Sequence, residues 1–330
     1  MDNANLLLFA PDASRPFAER IAQRLGIPIS PHEERSFEDG EHKIRPLVNV
    51  RERDVYVVQS LYADHQMSVN DKLVRLLFFL GALRDAGAGR ITAVAPLLCY
   101  ARKDRKTQPR DPVTTRYVAG LFEAVGVDCI MTLDVHNLAA FQNAFRCETV
   151  HLEAVSLFVE HFASLAAETE TTVVSPDAGG IKRADVFRRR LAARTGRPVG
   201  AAFAEKYRAQ GVVSGDALVG DVAGKVAIIF DDLIGTGTTV VRAAHQCLDQ
   251  GARRVHVAAT HGLFVGSADA TLAETSLDAI VVTDSVPPFR LLPGGAPRSK
   301  LSLLDTGALF AEAIGRLHSG GSIAELLAPS

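Results

Sequence analysis

Tryptophan is absent from this 330-residue chain, methionine occurs three times and cysteine four times. Cys99, Cys129, Cys147 and Cys247 stand far apart with no CxxC pair, which excludes a zinc ribbon and a disulfide framework. Reduced thiols of a cytoplasmic protein are expected instead. No charge of one sign dominates: 36 Lys and Arg face 38 Asp and Glu, a formal net charge of −2. No block of Lys or Arg stands out either, which excludes a general nucleic-acid binder. The "RRR" at 188–190 sits among helix-forming residues and reads as a solvated face. Long apolar runs are missing too. "LLFFLGAL" at 76–83 is too short to span a bilayer, and "MDNANLLLFAPDASRP" lacks the basic segment of a signal peptide. A cytoplasmic protein with neither membrane nor nucleic acid as partner is the expectation. What is present is ordinary for a globular chain, 47% hydrophobic and 22% charged, at a length that favours about two domains.

Short apolar runs rich in β-formers alternate with helical patterns. "LLLFA" (6–10), "DVYVVQ" (54–59), "ITAVAP" (91–96) and "CIMTLD" (129–134) read as buried strands. Between them lie helical stretches at 17–26, 70–87 and 114–126, each ending at a glycine, the last two opening on Asn or Thr caps. The strand signal resumes at 171–177, 225–232, 255–260 and 279–284. Such alternation implies mainly parallel sheets flanked by helices, an α/β fold. Two domains of similar size, 1–150 and 151–330, are expected. "GAPRSKLSLLDTG" (295–307) reads as a loop before a final helix, "ALFAEAIGRLH".

Chemistry concentrates where strands end, because ligands of open parallel sheets bind at the carboxyl ends of the strands. "AIIFDDLIGTGTTVV" (227–241) closes an apolar run with Asp231 and Asp232, then breaks into Gly235, Thr236, Gly237, Thr238 and Thr239. The glycines let backbone N–H groups converge, the threonines add hydroxyls, and a following helix supplies its positive end, together a seat for one phosphate. Carboxylates accept hydrogen bonds from vicinal hydroxyls. A sugar phosphate satisfies both halves of the stretch. The dinucleotide fingerprint fails at its last glycine, and the P-loop spacing fails in "GDVAGKV" (220–226). A second loop, "SPDAGGIKRA" (175–184), offers Asp177 as a candidate metal ligand and Gly179–Gly180 for close backbone approach, which suggests a diphosphate with Mg²⁺. A tight structural turn reads almost as well.

Taken together, "SFEDGEHKIRP" (36–46), "RDVYVVQS" (53–60), "YARKDRK" (100–106), "LDVHN" (133–137), "SPDAGGIKRA", "GDVAGK" (220–225) and "DDLIGTGTT" (231–239) resemble, in order, the ribose-phosphate diphosphokinase (phosphoribosyl-pyrophosphate synthetase) family. The resemblance implies two phosphoribosyltransferase-like α/β domains. It implies transfer of the β,γ-diphosphoryl group of ATP to the 1-hydroxyl of ribose 5-phosphate. Asp231, Asp232 and Gly235–Thr239 would hold ribose 5-phosphate, with Arg208. Phe37, Asp39, Gly40 and Glu41, reaching in this family from a neighbouring subunit, would bind ATP with Arg102, Lys103, Asp104 and His136. His136 and Asp177 would touch Mg²⁺ or the ATP phosphates. Lys206 and Arg208, in "AEKYRAQGVVSGD" (204–216), match the two cations of a mobile catalytic loop. A homo-oligomer, commonly a hexamer, is implied as well. Two positions depart from the usual pattern: Gly235 stands where many members carry Asp, and Lys103 where Gln is more usual. A phosphoribosyltransferase would share the "DDLIGTGTT" loop but has no use for "FEDGEH" and "YARKDRK". A non-catalytic homologue should have lost Lys206 or Arg208, and this chain keeps both.

Overall fold

The computed structural model of the chain describes residues 5–209, 212–274 and 277–327, as backbone alone over 205–209 and 212–216. It divides into two compact units, one of residues up to Glu153 with those from Thr306 onward, the other spanning Ala154–Asp305.

The first unit contains, in chain order, β1 (Leu6–Phe9), α1 (Arg15–Leu25), β2 (His32–Ser36), β3 (His42–Pro46), β4 (Asp54–Val58), α2 (Val69–Asp85), β5 (Arg90–Ala95), α3 (Thr114–Ala124), β6 (Cys129–Leu133), α4 (Leu138–Ala144) and β7 (Glu148–Leu152). Five strands pair in parallel in the order β1-β4-β5-β6-β7. β4 and β6 are buried along their whole length, which is why "DVYVV" and "CIMTL" do not alternate with polar residues. Helix α2 starts two residues earlier than its Asn70 suggested. Ser68 is the cap: its hydroxyl accepts from Asp71 N at 3.2 Å, and Asp71 Oδ2 accepts from Ser68 N at 2.7 Å. Asn70 is diverted, because its side-chain oxygen accepts from the Tyr100 hydroxyl. α3 has no side-chain cap, and Thr114 and Thr115 lie inside its first turn. β2 and β3 form a separate antiparallel ribbon against α2, where His42 stacks on Phe78 at 5.4 Å.

The second unit contains α5 (Val155–Glu168), β8 (Thr171–Ser175), α6 (Ile181–Thr195), β9 (Gly200–Ala209), β10 (Val212–Val219), β11 (Val226–Ile234), α7 (Thr238–Asp249), β12 (Arg254–Gly262), α8 (Ala268–Ala273), β13 (Ala279–Thr283), α9 (Ala296–Ser299) and β14 (Leu301–Leu304). Its sheet runs β10-β9-β8-β11-β12-β13-β14, parallel except for β9–β10. Phe187 stacks on Phe230 at 4.5 Å and Phe158 meets the same ring edge-on at 5.2 Å, seating α5 and α6 on β11. On α7, Val240, Val241, Ala243, Ala244 and Cys247 are buried in the cluster that also contains Ile229 and Val257 of β11 and β12.

The structure departs from expectation in three places. Of the stretch 204–216, read as a loop, residues 204–209 and 212–216 have the backbone of an antiparallel ribbon, with Asp216 opposite Lys206 and Val213 opposite Arg208. An antiparallel edge need not bury both faces, so its polar residues do not prevent pairing. The stretch 295–307, also read as a loop, holds α9 and the edge strand β14. A cut at 150/151 would sever β7, and the final helix does not belong to the second unit. α10 (Gly307–Ser319), followed by α11 (Ile323–Leu327), packs on the first, with Phe310 edge-on to Phe17 at 5.5 Å. Arg90 donates to the Leu317 carbonyl at 3.2 Å, and His318 Nδ1 lies 2.7 Å from Asp54 Oδ2. Burying Phe310 contributes on the order of 1.5–3 kcal/mol to that union.

Candidate active site

In the second unit, β11 runs through both aspartates to Ile234, so the two carboxylates stand on a strand and the turn begins behind them. Gly237, at φ +84°, occupies the left-handed region and opens α7, and a Cβ there would press on Leu272 Cγ at 3.2 Å. The N-terminus of α7 has no side-chain cap, which leaves its first N–H groups and its positive dipole end facing the turn. Thr236, Thr238 and Thr239 are exposed there, with the hydroxyls of Thr236 and Thr238 3.0 Å apart. A Cβ on Gly235 would meet nothing nearer than Leu233 Cδ1 at 3.9 Å, so the turn accepts the aspartate usual in the resembled family. The arrangement is built to receive an anion.

The "SPDAGG" turn lies beside it. Asp177 is exposed, and its Oδ1 accepts from Gly180 N at 3.0 Å, closing the entry to α6. Gly180 is needed for space: a Cβ would stand 2.8 Å from Ser175 Oγ and 3.9 Å from Asp231 Oδ1. This close approach lets Arg183, in the first turn of α6, place Nη1 3.3 Å from Asp231 Oδ1 and 3.2 Å from Asp232 Oδ1. Sequence reasoning missed Arg183, because a cation near a helix start carries no local signal of its role.

Asp232 is only 4% exposed. Burial pushes the Asp231 carboxyl well above the usual carboxylate range, and the neighbouring Asp232 charge adds to the rise. Arg183 opposes the shift, but one guanidinium shared between two carboxylates does not outweigh desolvation plus like-charge repulsion. The sign for stability follows. A carboxyl whose folded pKa lies above its unfolded value holds its proton longer when folded, so stability falls as pH rises from the ordinary 3.8 toward the raised value. Without ligands, the thermal midpoint of the wild type should therefore fall relative to Asp231→Asn as pH is raised through that window. Parallel melting profiles of the two proteins would refute the raised carboxyl.

In the first unit, the "YARKDRK" loop leaves the end of β5. Tyr100, at φ +58°, and Asp134, at φ +39° behind β6, both hold a conformation that side chains disfavour, as residues at functional sites often do. Thr115 Oγ1 donates to the carbonyls of Tyr100 and Lys103 at 3.0 and 3.2 Å, anchoring the loop to α3. Asp104 Oδ2 accepts from Asn137 Nδ2 at 2.5 Å, joining the loop to the end of β6 beside the exposed His136. Arg102 is exposed, whereas Lys103 Nζ lies 2.7 Å from Asp111 Oδ2. Lys103, then the Thr107 hydroxyl and the loop amides, hold the Asp111 carboxyl below the usual carboxylate range. Phe37, Asp39, Gly40 and Glu41 form the exposed turn between β2 and β3, where Glu41 N donates to Asp39 Oδ1 at 3.0 Å and Phe37 N to the Glu41 carbonyl at 2.8 Å. Arg35 lies 5.1 Å over the 40%-exposed Phe37 ring. The bonds from Glu41 N and Phe37 N close the turn on itself.

The side chains of Lys206 and Arg208 lie outside the described residues. His136 belongs to the first unit and Asp177 to the second, and among the described residues neither is in a group of three or more close ligand atoms. The group of three described residues with ligand atoms within 4.8 Å of one another is Asp12, His32 and Glu34, where Glu34 Oε1 accepts from Asp12 N at 2.7 Å and from His32 Nε2 at 2.9 Å. Among the described residues, no helix is long and apolar enough to cross a membrane.

Comparison with known proteins covers the chain nearly end to end. A model of the N-terminal domain of ribose phosphate pyrophosphokinase matches residues 6–126, and one of the phosphoribosyl synthetase-associated domain matches 213–328. The ribose-phosphate pyrophosphokinase of Caldanaerobacter subterraneus subsp. tengcongensis is 36% identical over 323 residues, 98% of each chain. That of Rhodopirellula baltica is 37% identical over 326 residues, covering 97% of this chain and 98% of its own. The crystal structure of phosphoribosylpyrophosphate synthetase from Mycobacterium smegmatis matches with a TM-score of 0.85 at 32% identity, over 96% of this chain and 100% of that one. Since the likeness reaches across both units, the chain belongs to the ribose-phosphate pyrophosphokinase family.

Proposed function

We propose that this chain transfers the diphosphoryl group of ATP to the 1-hydroxyl of ribose 5-phosphate, giving 5-phosphoribosyl 1-diphosphate and AMP. The observation that carries the reading is the buried Asp231–Asp232 pair directly ahead of the glycine turn into α7, in a chain alike over its length to ribose-phosphate pyrophosphokinases. The aspartates accept hydrogen bonds from the ribose hydroxyls, while the amides and hydroxyls of Gly235, Thr236, Gly237, Thr238 and Thr239 hold the 5-phosphate. Arg183 keeps the two carboxylates side by side. ATP is bound by Arg102, Asp104 and His136, with Phe37, Asp39, Gly40 and Glu41 supplied by a neighbouring copy. The sugar's C1 oxygen attacks the β-phosphorus, the bond from the bridging oxygen to that phosphorus breaks, and AMP leaves with the oxygen. The hydroxyl proton passes to solvent. Lys206 and Arg208 supply positive charge to the group in transit.

Mg²⁺ is the cofactor in this reading. Asp177 suits it, being an exposed carboxylate with a hard oxygen left over after the Gly180 bond. The imidazole of His136 is a softer donor and fits the ATP phosphates better than the ion. When bound with ATP, the ion neutralises charge on the phosphate oxygens. The protein works in the cytoplasm as a homo-oligomer, commonly a hexamer in this family, on ATP and ribose 5-phosphate, with no nucleic acid or membrane partner.

The test is direct: purified protein with ATP, Mg²⁺ and ribose 5-phosphate should yield AMP and the diphosphorylated sugar in equal amounts. Formation of ADP instead would overturn diphosphoryl transfer. The shared ATP site has its own test. Asp39→Ala and Lys206→Ala proteins, each weak alone, should regain activity when dissociated and reassembled together, through hybrid sites. No regain would mean that each copy builds its site alone.

A further inference from the structure

We infer that Lys103 and Asp111 form a clasp that positions the ATP-facing residues beside it, and that Lys103 is not itself a nucleotide ligand. The inference rests on the diphosphokinase reading and deepens it. One carboxylate oxygen, Asp111 Oδ2, accepts from Lys103 Nζ and Thr107 Oγ1 at 2.7 Å each, and from Thr107 N and Gln108 N at 3.0 Å each. The Lys103 ammonium also donates to Thr107 Oγ1 at 3.2 Å. Its main chain is held as well: the Lys103 carbonyl accepts from Thr115 Oγ1 at 3.2 Å and from Thr115 N at 3.4 Å. Residue 103 is thus fixed by its side chain to the far end of the loop and by its backbone to the first turn of α3.

The residues on either side of it are the ones left to act. Arg102 is exposed, and among the described residues no carboxylate pairs with it. Asp104 is bonded to Asn137, beside His136. Charge decides the role of Lys103. Its ammonium is already matched by a carboxylate at 2.7 Å. Turning it toward a polyphosphate would strip Asp111 of its charged donor and leave only the neutral Thr107 and Gln108 donors to match its negative charge. Holding the clasp shut costs nothing of that kind and fixes the backbone that aims Arg102.

The experiment measures ATP affinity by titration calorimetry in Mg²⁺, with ribose 5-phosphate affinity and the thermal midpoint as companions. The proteins are the full-length wild type, Asp111→Asn, Lys103→Met, the double variant, and the exchanged pair Lys103→Asp with Asp111→Lys. Asparagine keeps an oxygen for the Thr107 and Gln108 amides, so Asp111→Asn removes mainly the charge. Each single variant is expected to weaken ATP roughly three- to tenfold. The double should be no weaker than the singles, because the two act as one unit, and the exchanged pair should recover part of the loss. Ribose 5-phosphate affinity should stay unchanged, which a general loss of folding would not allow. Asp111→Asn that binds ATP as well as or better than the wild type, with Lys103→Met impaired, would make Lys103 a direct ligand and overturn the clasp. That outcome leaves wild-type AMP formation intact, whereas failure of the wild type to form AMP defeats the diphosphokinase reading itself.

Discussion

Lys206→Ala and Arg208→Ala are each expected to lower kcat by at least ~10²-fold, the scale of losing one preorganised charge-stabilising donor. Diphosphoryl transfer loosens the bond to the α-phosphate and spreads negative charge over the moving group, so its catalysis depends on position and on placed cations. Lys206 and Arg208 are the two cations of "AEKYRAQGVVSGD", and the antiparallel ribbon carries both on one strand, two residues apart. An interaction made mainly in the transition state leaves KM little changed. Steady-state kinetics at saturating Mg²⁺, with both substrates varied, give the answer. Near-normal kcat with lost affinity alone would reduce that residue to a phosphate anchor.

Asp232→Ala should weaken ribose 5-phosphate by roughly 1.5–3 kcal/mol, about ten- to a hundredfold, and leave ATP almost untouched. Asp232 is nearly buried, so a ribose hydroxyl bound there has no water to replace the lost acceptor. Arg183 sharpens the expectation. With Asp232 gone it pairs with Asp231 alone, and the Asp231 carboxyl loses the like charge that helps to raise it. The remaining acid should then titrate closer to the ordinary carboxylate range, visible by NMR on a side-chain-labelled protein. Equal weakening of ATP and ribose 5-phosphate in calorimetric titrations would sink the assignment of this carboxylate to the sugar.

The parallel strands were legible because burial on both faces writes them as unbroken apolar runs, as in "DVYVV" and "CIMTL". The ribbon β2–β3 was not. "HEERS" and "HKIRP" are half-exposed and charged, so no hydrophobic period marks them. β14 escaped for a related reason, being four residues at a sheet edge with only one neighbour. At the site, Asp231, Asp232 and the glycine turn are adjacent in sequence, and adjacency is what a motif records. Arg183 lies 48 residues from Asp231 and meets it only because Gly180 permits the approach. Lys103 and Asp111 are eight apart within one loop, a spacing with no regular period to announce it.

The return of α10 to the first unit has a consequence for the order in which this chain is made. The second unit is one uninterrupted segment, Ala154–Asp305, and has all its strands once that segment has been synthesised. The first unit begins earlier yet finishes later. Until the ribosome has released residues 307–319, Phe17 lacks Phe310, Arg90 lacks the Leu317 carbonyl and Asp54 lacks His318. During translation the earlier-born unit therefore waits with α1 lacking its packing partner while the later-born one has all its strands, the reverse of the usual N-terminal-first sequence.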